Sequence, residues 1–241
     1  MSRRQRSNRR LEADAMALTE DLIARLGQCP PEPGWNPADQ KFEDEDYRQL
    51  LQALMVGRPA DQLWLFAYGS LMWRPACPDC ERRPARLRGY HRRFCLWMRR
   101  YRGTPERPGL MLALDHGGEC RGLALRLNHS DAERHLEQVL RRELVRKPPA
   151  YRPRWLSLDT EQGPVTALGF VIDRRSPRYT GALADSKVAE VLAGAIGHAG
   201  TGAEYLLRTV KELEQIGCRD RRLWRLQAMV AEHLAALPAG G

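Results

Sequence analysis

The apolar positions between residues 11 and 56 recur at helical spacing on either side of a proline-rich stretch. Apolar residues about four apart, which predict an amphipathic helix, are Leu11, Ala15, Leu18, Leu22 and Leu26. After the interruption "CPPEPGWNP", the segment "DEDYRQLLQALM" predicts a second helix that ends near Gly57. Residues 1–10 are basic and without apolar spacing, so they are expected to be disordered. We therefore expect residues 1–60 to form a disordered tip and a helical extension, and residues 61–241 to form the main domain.

From residue 63 the pattern changes to short apolar runs separated by glycine and proline, which is typical of β-strands. In chain order these runs are "LWLFA", "ARLRGYHRRFCLWM", "GLMLALD" and "CRGLALRL". Between the last two runs, His116-Gly117-Gly118 predicts a hairpin turn. The segment "RPACPDCERRP" predicts a proline-rich loop between the first two.

The second half of the chain is mainly helical. Residues 130–133, "SDAE", form a capping-box sequence that predicts the start of a helix reaching about Val145. The segments "RWLSLD" and "VTALGFVID" predict a β-hairpin, and further helices are predicted over residues 183–196, 203–216 and 221–237. Evenly spaced strands followed by a helix, a hairpin and terminal helices predict an α+β domain with a small closed or nearly closed sheet.

One charged residue breaks the apolar stripe of the helix that follows Asp131. The stripe consists of Ala132, Leu136, Val139 and Leu140. Its continuation predicts an apolar residue at position 143, where the sequence has Glu143. A carboxylate directed toward a core is costly unless paired, and burial raises its pKa toward neutrality, as in a general base. The alternatives are a buried glutamate satisfied by an arginine, or a helix end that has left the core.

A second interruption divides the apolar segment "LWLFAYGSLMW". The strand-like residues before it are followed by Tyr68-Gly69-Ser70, and then by further apolar residues. A glycine in a tight turn lets the backbone approach a ligand closely, and consecutive N–H groups there can hold a carboxylate or an oxyanion. The two hydroxyls add directed hydrogen bonds. The alternative is an ordinary strand end with a β-bulge.

Composition restricts the class of protein. Hydrophobic residues make up 43% of the 241, which is enough for a core and argues against wholesale disorder. The net charge of +9 comes almost entirely from arginine scattered among acidic residues, so we favour a compositional bias over nucleic-acid binding. No apolar run approaches the roughly 18 residues needed to cross a bilayer. The basic N-terminus lacks the apolar segment of a secretory signal, and an arginine-rich targeting peptide is disfavoured by early acidic residues. We expect a cytoplasmic protein that binds neither membrane nor nucleic acid.

The cysteines and histidines favour no metal site. Cys77-Pro78-Asp79-Cys80 is a CxxC motif, but a zinc ribbon requires a second one, which the chain lacks. A thioredoxin-type pair belongs at a helix start after a strand, whereas this motif falls in the predicted loop. The six histidines form no H-x-x-x-H pair. We expect reduced loop thiols, with structural zinc as the alternative, and no catalytic metal.

Taken together, several segments resemble the ChaC-like γ-glutamylcyclotransferases, in the same order. They are "WLFAYGSLMWRP", "LRGYHRRFCLWMRRYRGTPERPGLMLALDHGGECRGLALRL", "LRREL" and "GTGAEYLLRTV". The resemblance covers about residues 63–235. It implies a small β-barrel flanked by helices, and an enzyme without a cofactor. In the implied reaction, glutathione is cleaved without water, because its own α-amine attacks the γ-carbonyl and releases 5-oxoproline and Cys-Gly.

The resemblance also implies roles for particular residues. The family's catalytic glutamate corresponds to Glu143, the residue that helical periodicity also singles out. The substrate loop corresponds to Leu65, Phe66, Ala67, Tyr68, Gly69, Ser70 and Leu71. A substrate-side hydroxyl corresponds to Tyr205 in the "EYL" segment.

Two features depart from the family pattern. Ala67 stands where many ChaC-like chains have glycine, and "VRKPPAYRPRW" matches no family segment, so the Cys-Gly side of the pocket stays open. Residues 1–60 lie outside the resemblance, and the oligomeric state is not indicated. The alternatives are a cyclotransferase for other γ-glutamyl peptides or amines, or a non-enzymatic binding protein.

Overall fold

Five strands close into a barrel with helices packed around it in the computed structural model, which describes residues 15–36, 39–57 and 62–238. The helices are α1 Glu20–Ala24, α2 Asp44–Val56, α3 Ala132–Glu143, α4 Asp185–Gly194, α5 Gly202–Gln215 and α6 Arg221–Ala235. The strands are β1 Gln40–Lys41, β2 Trp64–Ala67, β3 Asp79–Met98, β4 Gly109–Leu127, β5 Arg146–Lys147, β6 Tyr151–Thr160, β7 Val165–Ile172, β8 Ile196–Gly197 and β9 Gly200–Thr201. The predicted disordered tip and the start of the first predicted helix lie outside the described residues.

The barrel follows the order β2-β4-β3-β6-β7, and pairing of β7 with β2 and β4 closes it. β2 runs antiparallel to β4, with Ala67 opposite Leu123, and parallel to β7, with Leu65 opposite Leu168. β3 pairs with β6 only through residues 85–87, so the closure covers only part of the outer side of this long strand. The predicted α+β fold with a small closed barrel flanked by helices is confirmed.

β2 is apolar throughout because both of its faces are covered. Trp64 and Phe66 pack with side chains from the other barrel strands, whereas Leu65 and Ala67 belong to a larger cluster that includes the helices. A strand between two cores has no solvent-facing side, which explains the unbroken run "LWLFA" in the sequence.

β3 and β4 pair along their whole length, so the predicted hairpin turn at Gly117-Gly118 is wrong. The pairing runs from Asp79 opposite Leu127 to Met98 opposite Gly109, and the connection between the strands is residues 99–108. The glycine pair instead lies at a register shift between Arg88 and Tyr90, where two residues of β4 face one of β3. Both glycines have positive φ, 99° and 72°, which suits a β-bulge as well as a turn.

The proline-rich loop predicted around the CxxC motif is also wrong for residues 79–84, which belong to β3. β3 pairs with β6 only through residues 85–87, so Pro84 lies where only the β4 side of the strand is paired. Proline lacks an N–H donor and is tolerated at such an edge.

Helix α3 begins without the predicted capping box. Asp131 is the N-cap residue but makes no side-chain capping bond, and the Ser130 hydroxyl instead donates to Asn128 Oδ1 at 3.0 Å. The helix ends at Glu143 rather than near Val145, because Leu144 leaves the helical conformation with ψ at 81°. The following strand β5 pairs with β1 of the extension.

The N-terminal extension packs against the chain around Leu144 and Trp155 and against the last helix. α2 matches the predicted second helix, and the Tyr47 hydroxyl donates to the Leu144 carbonyl at 2.7 Å. The Trp155 indole N–H donates to the Leu54 carbonyl at 3.2 Å. α1 is shorter than predicted, and the Leu18 N–H beside it donates to Gln227 Oε1 at 2.7 Å. None of the helices in the described ranges is both long and apolar enough to cross a bilayer.

The close approach of β4 to β2 gives a stability prediction. A Cβ at Gly122 would lie 2.3 Å from the Ala67 carbonyl oxygen, so Gly122→Ala forces the two strands apart. We expect the free energy of unfolding to fall by about 1–3 kcal/mol, measured by urea titration. The control is Gly34→Ala, whose Cβ meets nothing within 4 Å and which should leave stability nearly unchanged. Equal stability of the two variants would contradict the described packing.

Candidate functional site

The segment that interrupts "LWLFAYGSLMW" forms a tight turn at the end of β2. It leads into a 3₁₀ helix, Ser70–Met72, in which the Met72 N–H donates to the Gly69 carbonyl at 2.9 Å. The Tyr68 carbonyl accepts a hydrogen bond of 2.7 Å from Arg92, whose side chain is almost fully buried and paired with Asp220. A buried guanidinium thus satisfies the carbonyl where the ladder ends.

Gly69 is required because Tyr205 lies directly against the turn. A Cβ at position 69 would lie 2.6 Å from the Tyr205 hydroxyl oxygen, and the Ser70 N–H donates to that oxygen. Tyr205 is buried in the first turn of α5, with its ring centroid 5.4 Å from that of Trp73 and 6.1 Å from that of Phe94. The absence of a side chain at one residue therefore brings a phenol into contact with the backbone.

Arg142 connects this turn to helix α3. Its Nη2 donates to Ser70 Oγ at 3.3 Å, and its Nη1 donates to the Arg74 carbonyl. Its Nε lies 3.5 Å from Glu143 Oε1. One guanidinium thereby fixes the turn, the chain after the 3₁₀ helix and the glutamate relative to one another.

Glu143 continues the buried stripe of α3, as its spacing in the sequence predicts. The stripe residues are buried, and the Glu143 side chain is 18% exposed. Burial raises the pKa of the Glu143 carboxyl, and the positive charge of Arg142 opposes part of that rise. Within the described residues no donor forms a hydrogen bond to this carboxylate, so its oxygens are available to a proton donor from outside.

Three tyrosines interact electrostatically with Glu143: Tyr68, Tyr151 and Tyr205. Burial raises the pKa of Tyr205 to about 12 and those of the other two well above their usual value, so all three phenols keep their protons near neutral pH. The Tyr68 hydroxyl donates to the Phe170 carbonyl at 2.9 Å, and that of Tyr151 to the Leu112 carbonyl at 3.2 Å.

Tyr205 differs from the other two phenols in its hydrogen bonding. Its oxygen accepts a bond from the Ser70 N–H, and its proton reaches no acceptor among the described residues. A phenol held in place by an accepted bond, with its own proton unused, is suited to donate to a substrate oxygen.

The structure brings together five of the residues that the sequence singled out: Tyr68, Gly69, Ser70, Glu143 and Tyr205. The other predicted loop residues have side chains buried in the core, so only their backbone is placed to shape the turn; they are Leu65, Phe66, Ala67 and Leu71.

Sequence reasoning missed Arg142, Arg92 and Tyr151. Arg142 directly precedes Glu143, and that adjacency was an available signal. Tyr151 lies in the segment "VRKPPAYRPRW", which shows no periodicity, and Arg92 is one of many arginines in β3. Only the folded structure shows that Tyr151 and Arg92 lie beside the site.

The CxxC motif lies outside this cluster. Cys77 is buried, and burial raises the pKa of its thiol to about 11, so it is a poor nucleophile near neutral pH. Across residues 15–36, 39–57 and 62–238, no group of three or more histidine, cysteine or acidic side chains is arranged to hold a metal ion.

A buried carboxylate with a raised pKa, an available phenol and a tight backbone turn form a site for acid–base chemistry. The carboxylate can accept a proton and return it, while the phenol and the turn stabilise negative charge on an oxygen.

Sequence comparisons show the family. A family model described as "ChaC-like protein" matches residues 63–233. A glutathione-specific γ-glutamylcyclotransferase of Escherichia coli (strain K12) is 38% identical over 187 residues, covering 77% of this chain and 80% of that protein. The human glutathione-specific γ-glutamylcyclotransferase 1 is 30% identical over 182 residues, covering 73% of this chain and 76% of that protein.

A solved structure shares the fold. The crystal structure of a yeast γ-glutamyl cyclotransferase specific to glutathione superposes with a TM-score of 0.65. It covers 71% of this chain and 96% of the yeast chain at 18% sequence identity, so the likeness concerns architecture.

The contact between Gly69 and Tyr205 can be tested by a double-mutant cycle. We expect Gly69→Ala to lower the free energy of unfolding by about 1–3 kcal/mol, because its Cβ meets the hydroxyl oxygen. Tyr205→Phe removes that oxygen, and the next ring atom, Cζ, lies 3.7 Å from the added Cβ, an ordinary contact. The double variant should therefore lose at least about 0.5 kcal/mol less than the sum of the single losses. Strict additivity would show that the two groups do not touch.

Proposed function

The chain belongs to the ChaC-like protein family, and we propose that it is a glutathione-specific γ-glutamylcyclotransferase. In this reaction the α-amine nitrogen of the γ-glutamyl group forms a bond with its own γ-carbonyl carbon. The bond from that carbon to the cysteine nitrogen breaks, giving 5-oxoproline and Cys-Gly. The observation that carries the proposal is the partly buried Glu143 carboxylate held beside the Tyr68-Gly69-Ser70 turn by Arg142.

Glu143 is the proposed general base. The substrate's α-amine is protonated near neutral pH and cannot attack until it loses a proton. A carboxylate whose pKa is raised by burial is a better acceptor for that proton than an exposed one. The α-nitrogen loses a second proton as the lactam forms, and the same carboxyl passes both protons to the leaving cysteine nitrogen. Cys-Gly therefore leaves with a protonated amine, and the base is regenerated without water.

The turn and Tyr205 are the proposed substrate contacts. Intramolecular attack already has a large proximity advantage, and holding the glutamyl chain in one folded shape adds to it. The available Tyr205 proton is suited to the oxyanion that forms on the γ-carbonyl oxygen. The substrate loop proposed from the resemblance, 65–71, contributes through its backbone at Tyr68, Gly69 and Ser70.

The remaining assignments follow from this activity. We propose that residues 61–241 form the catalytic domain, that residues 1–60 are an extension of it, and that the enzyme acts in the cytoplasm on glutathione. The reaction is a proton-coupled rearrangement of one molecule, which calls for neither a cofactor nor a metal. Membrane and nucleic acid are not proposed as partners.

The direct assay is incubation of the purified protein with glutathione, followed by measurement of 5-oxoproline and Cys-Gly. We expect both products in equal amounts. γ-Glu-Ala serves as the comparison substrate, because a general γ-glutamyl cyclotransferase should turn it over at a similar rate. Faster turnover of γ-Glu-Ala than of glutathione would favour the wider substrate range.

Replacement of the base is the sharpest test of the mechanism. Glu143→Gln keeps the size of the side chain but cannot accept the proton, so we expect 5-oxoproline release to fall by at least about 100-fold. Circular dichroism should show an unchanged fold. The control is Glu137→Gln on the solvent side of the same helix, which should retain activity. A folded Glu143→Gln protein with normal turnover would overturn the assignment.

The pH dependence should report the environment of Glu143. A base with a raised pKa becomes protonated as the pH falls through that value, so kcat/KM should decline on the acid side at a higher pH than an ordinary glutamate would give. Arg142 lowers this pKa, and Arg142→Gln should therefore move the acid limb to higher pH. Arg141→Gln removes the same charge from the exposed face of the helix and should leave the limb in place. Identical profiles for both variants would disprove the coupling.

A further inference from the structure

Arg178 is held in a fixed position beside the barrel. Its carbonyl accepts a hydrogen bond of 2.9 Å from the Trp97 N–H, and the Thr180 N–H donates to the Cys95 carbonyl at 2.9 Å. Between them, Leu96 and Tyr179 form an antiparallel bridge. Residues 178–180 therefore pair with the end of β3 as a short additional strand, and a side chain on such a platform is well positioned for binding.

The guanidinium of Arg178 lacks the partners that its neighbours have. Two arginines on the same segment as Arg178 have carboxylate partners: Arg174 pairs with Asp115, and Arg175 pairs with Asp173. For Arg178, no side-chain hydrogen bond or ion pair is formed with any residue in the described ranges, although the residue is half-buried. Burial lowers the pKa of this guanidinium from its ordinary value, which reflects an incompletely compensated charge. A partly desolvated guanidinium without a carboxylate favours an anionic ligand.

Tyr151 connects Arg178 to the catalytic cluster. Tyr179, the neighbour of Arg178, packs against the same buried cluster as Tyr151, which includes Cys95 and Leu96 of β3. The Tyr151 phenol also interacts electrostatically with Glu143 and with Arg178. The positive charge of Arg146 repels that of Arg178. Asp39, the carboxylate near Arg178, forms an ion pair with Arg146 at 2.9 Å. The charge of Arg178 is therefore not neutralised by Asp39, which already pairs with Arg146.

We propose that Arg178 binds the glycine carboxylate of glutathione and so selects peptides with a free carboxylate at that position. This inference rests on the proposed function. The γ-glutamyl end lies at the Tyr68-Gly69-Ser70 turn, and the two residues that follow the scissile carbonyl span at most about 7 Å when extended. The carboxylate at their end needs a cation beyond Tyr151, and Arg178 supplies one in the planar form that binds both carboxylate oxygens.

The test compares glutathione with its glycine ethyl ester, which keeps the γ-glutamyl α-carboxylate and loses only the glycine charge. For the wild-type protein we expect KM for the ester to be about 10- to 100-fold higher than for glutathione, as loss of a charged hydrogen bond predicts. Arg178→Gln should raise KM for glutathione by a similar factor and leave kcat nearly unchanged. Its KM for the ester should stay at the wild-type value, so the two substrates converge.

Two further variants control the experiment. Arg175→Gln removes an equal charge three residues away, where Asp173 already pairs with it, and should preserve the preference for glutathione over the ester. Arg178→Lys keeps the charge without the planar fork, so KM for glutathione should rise by a smaller factor. Each variant should turn over the ester at the rate of the wild-type protein, which verifies that its site is folded.

The outcomes separate this inference from the proposed function. A wild-type protein that releases no 5-oxoproline from either substrate would overturn both. Release from glutathione together with an Arg178→Gln variant whose KM rises equally for glutathione and ester would retain the activity and overturn the role of Arg178. An Arg178→Gln variant with an unchanged KM for glutathione would do the same.

Discussion

The site depends on keeping one carboxylate away from water at the end of helix α3. In the proposed mechanism, burial raises the pKa of the Glu143 carboxyl and makes it a stronger base, yet a buried charge is unstable without compensation. Arg142 supplies the compensation, because its guanidinium lies close enough to stabilise the Glu143 charge. Its hydrogen bonds are made to Ser70 and to the Arg74 carbonyl instead of to the carboxylate. A shorter, two-pronged ion pair would hold the carboxylate more firmly and make it a weaker base. The same guanidinium also sets the position of the substrate turn.

The barrel gives this arrangement its rigidity. β2 packs against the barrel interior on one face and against the helical layer on the other, so the turn that follows it is fixed from both sides. Tyr205 lies on α5 and Glu143 on α3, two helices separated in sequence by five strands and another helix. Their meeting point is defined by the closed sheet, because each helix docks against strands whose register the closure fixes.

Local sequence patterns gave most of the predictions about the candidate site. The spacing of the α3 stripe identified Glu143, and the polar break after "LWLFA" identified the turn, because both depend on which face of a local element is buried. The Gly117-Gly118 pair led to a wrong prediction of a hairpin turn. Glycines with positive φ occur in β-bulges as well as in hairpin turns, and only the strand pairing distinguishes the two. Tyr151 and Arg178 acquire their proposed roles from contacts between distant segments, and no local pattern encodes such contacts.

The extension has a consequence for the order in which the protein assembles. Tyr47 and its partner Leu144 are 97 residues apart, and Leu18 and Gln227 are 209 apart. During synthesis, the extension therefore leaves the ribosome long before the groups that it contacts exist. The bond from Leu18 to Gln227 can form only after the barrel and the first part of the last helix have been made, so this contact closes one of the longest loops between described residues. Leu18 is therefore made long before the residue that it bonds, and it reaches this native contact late.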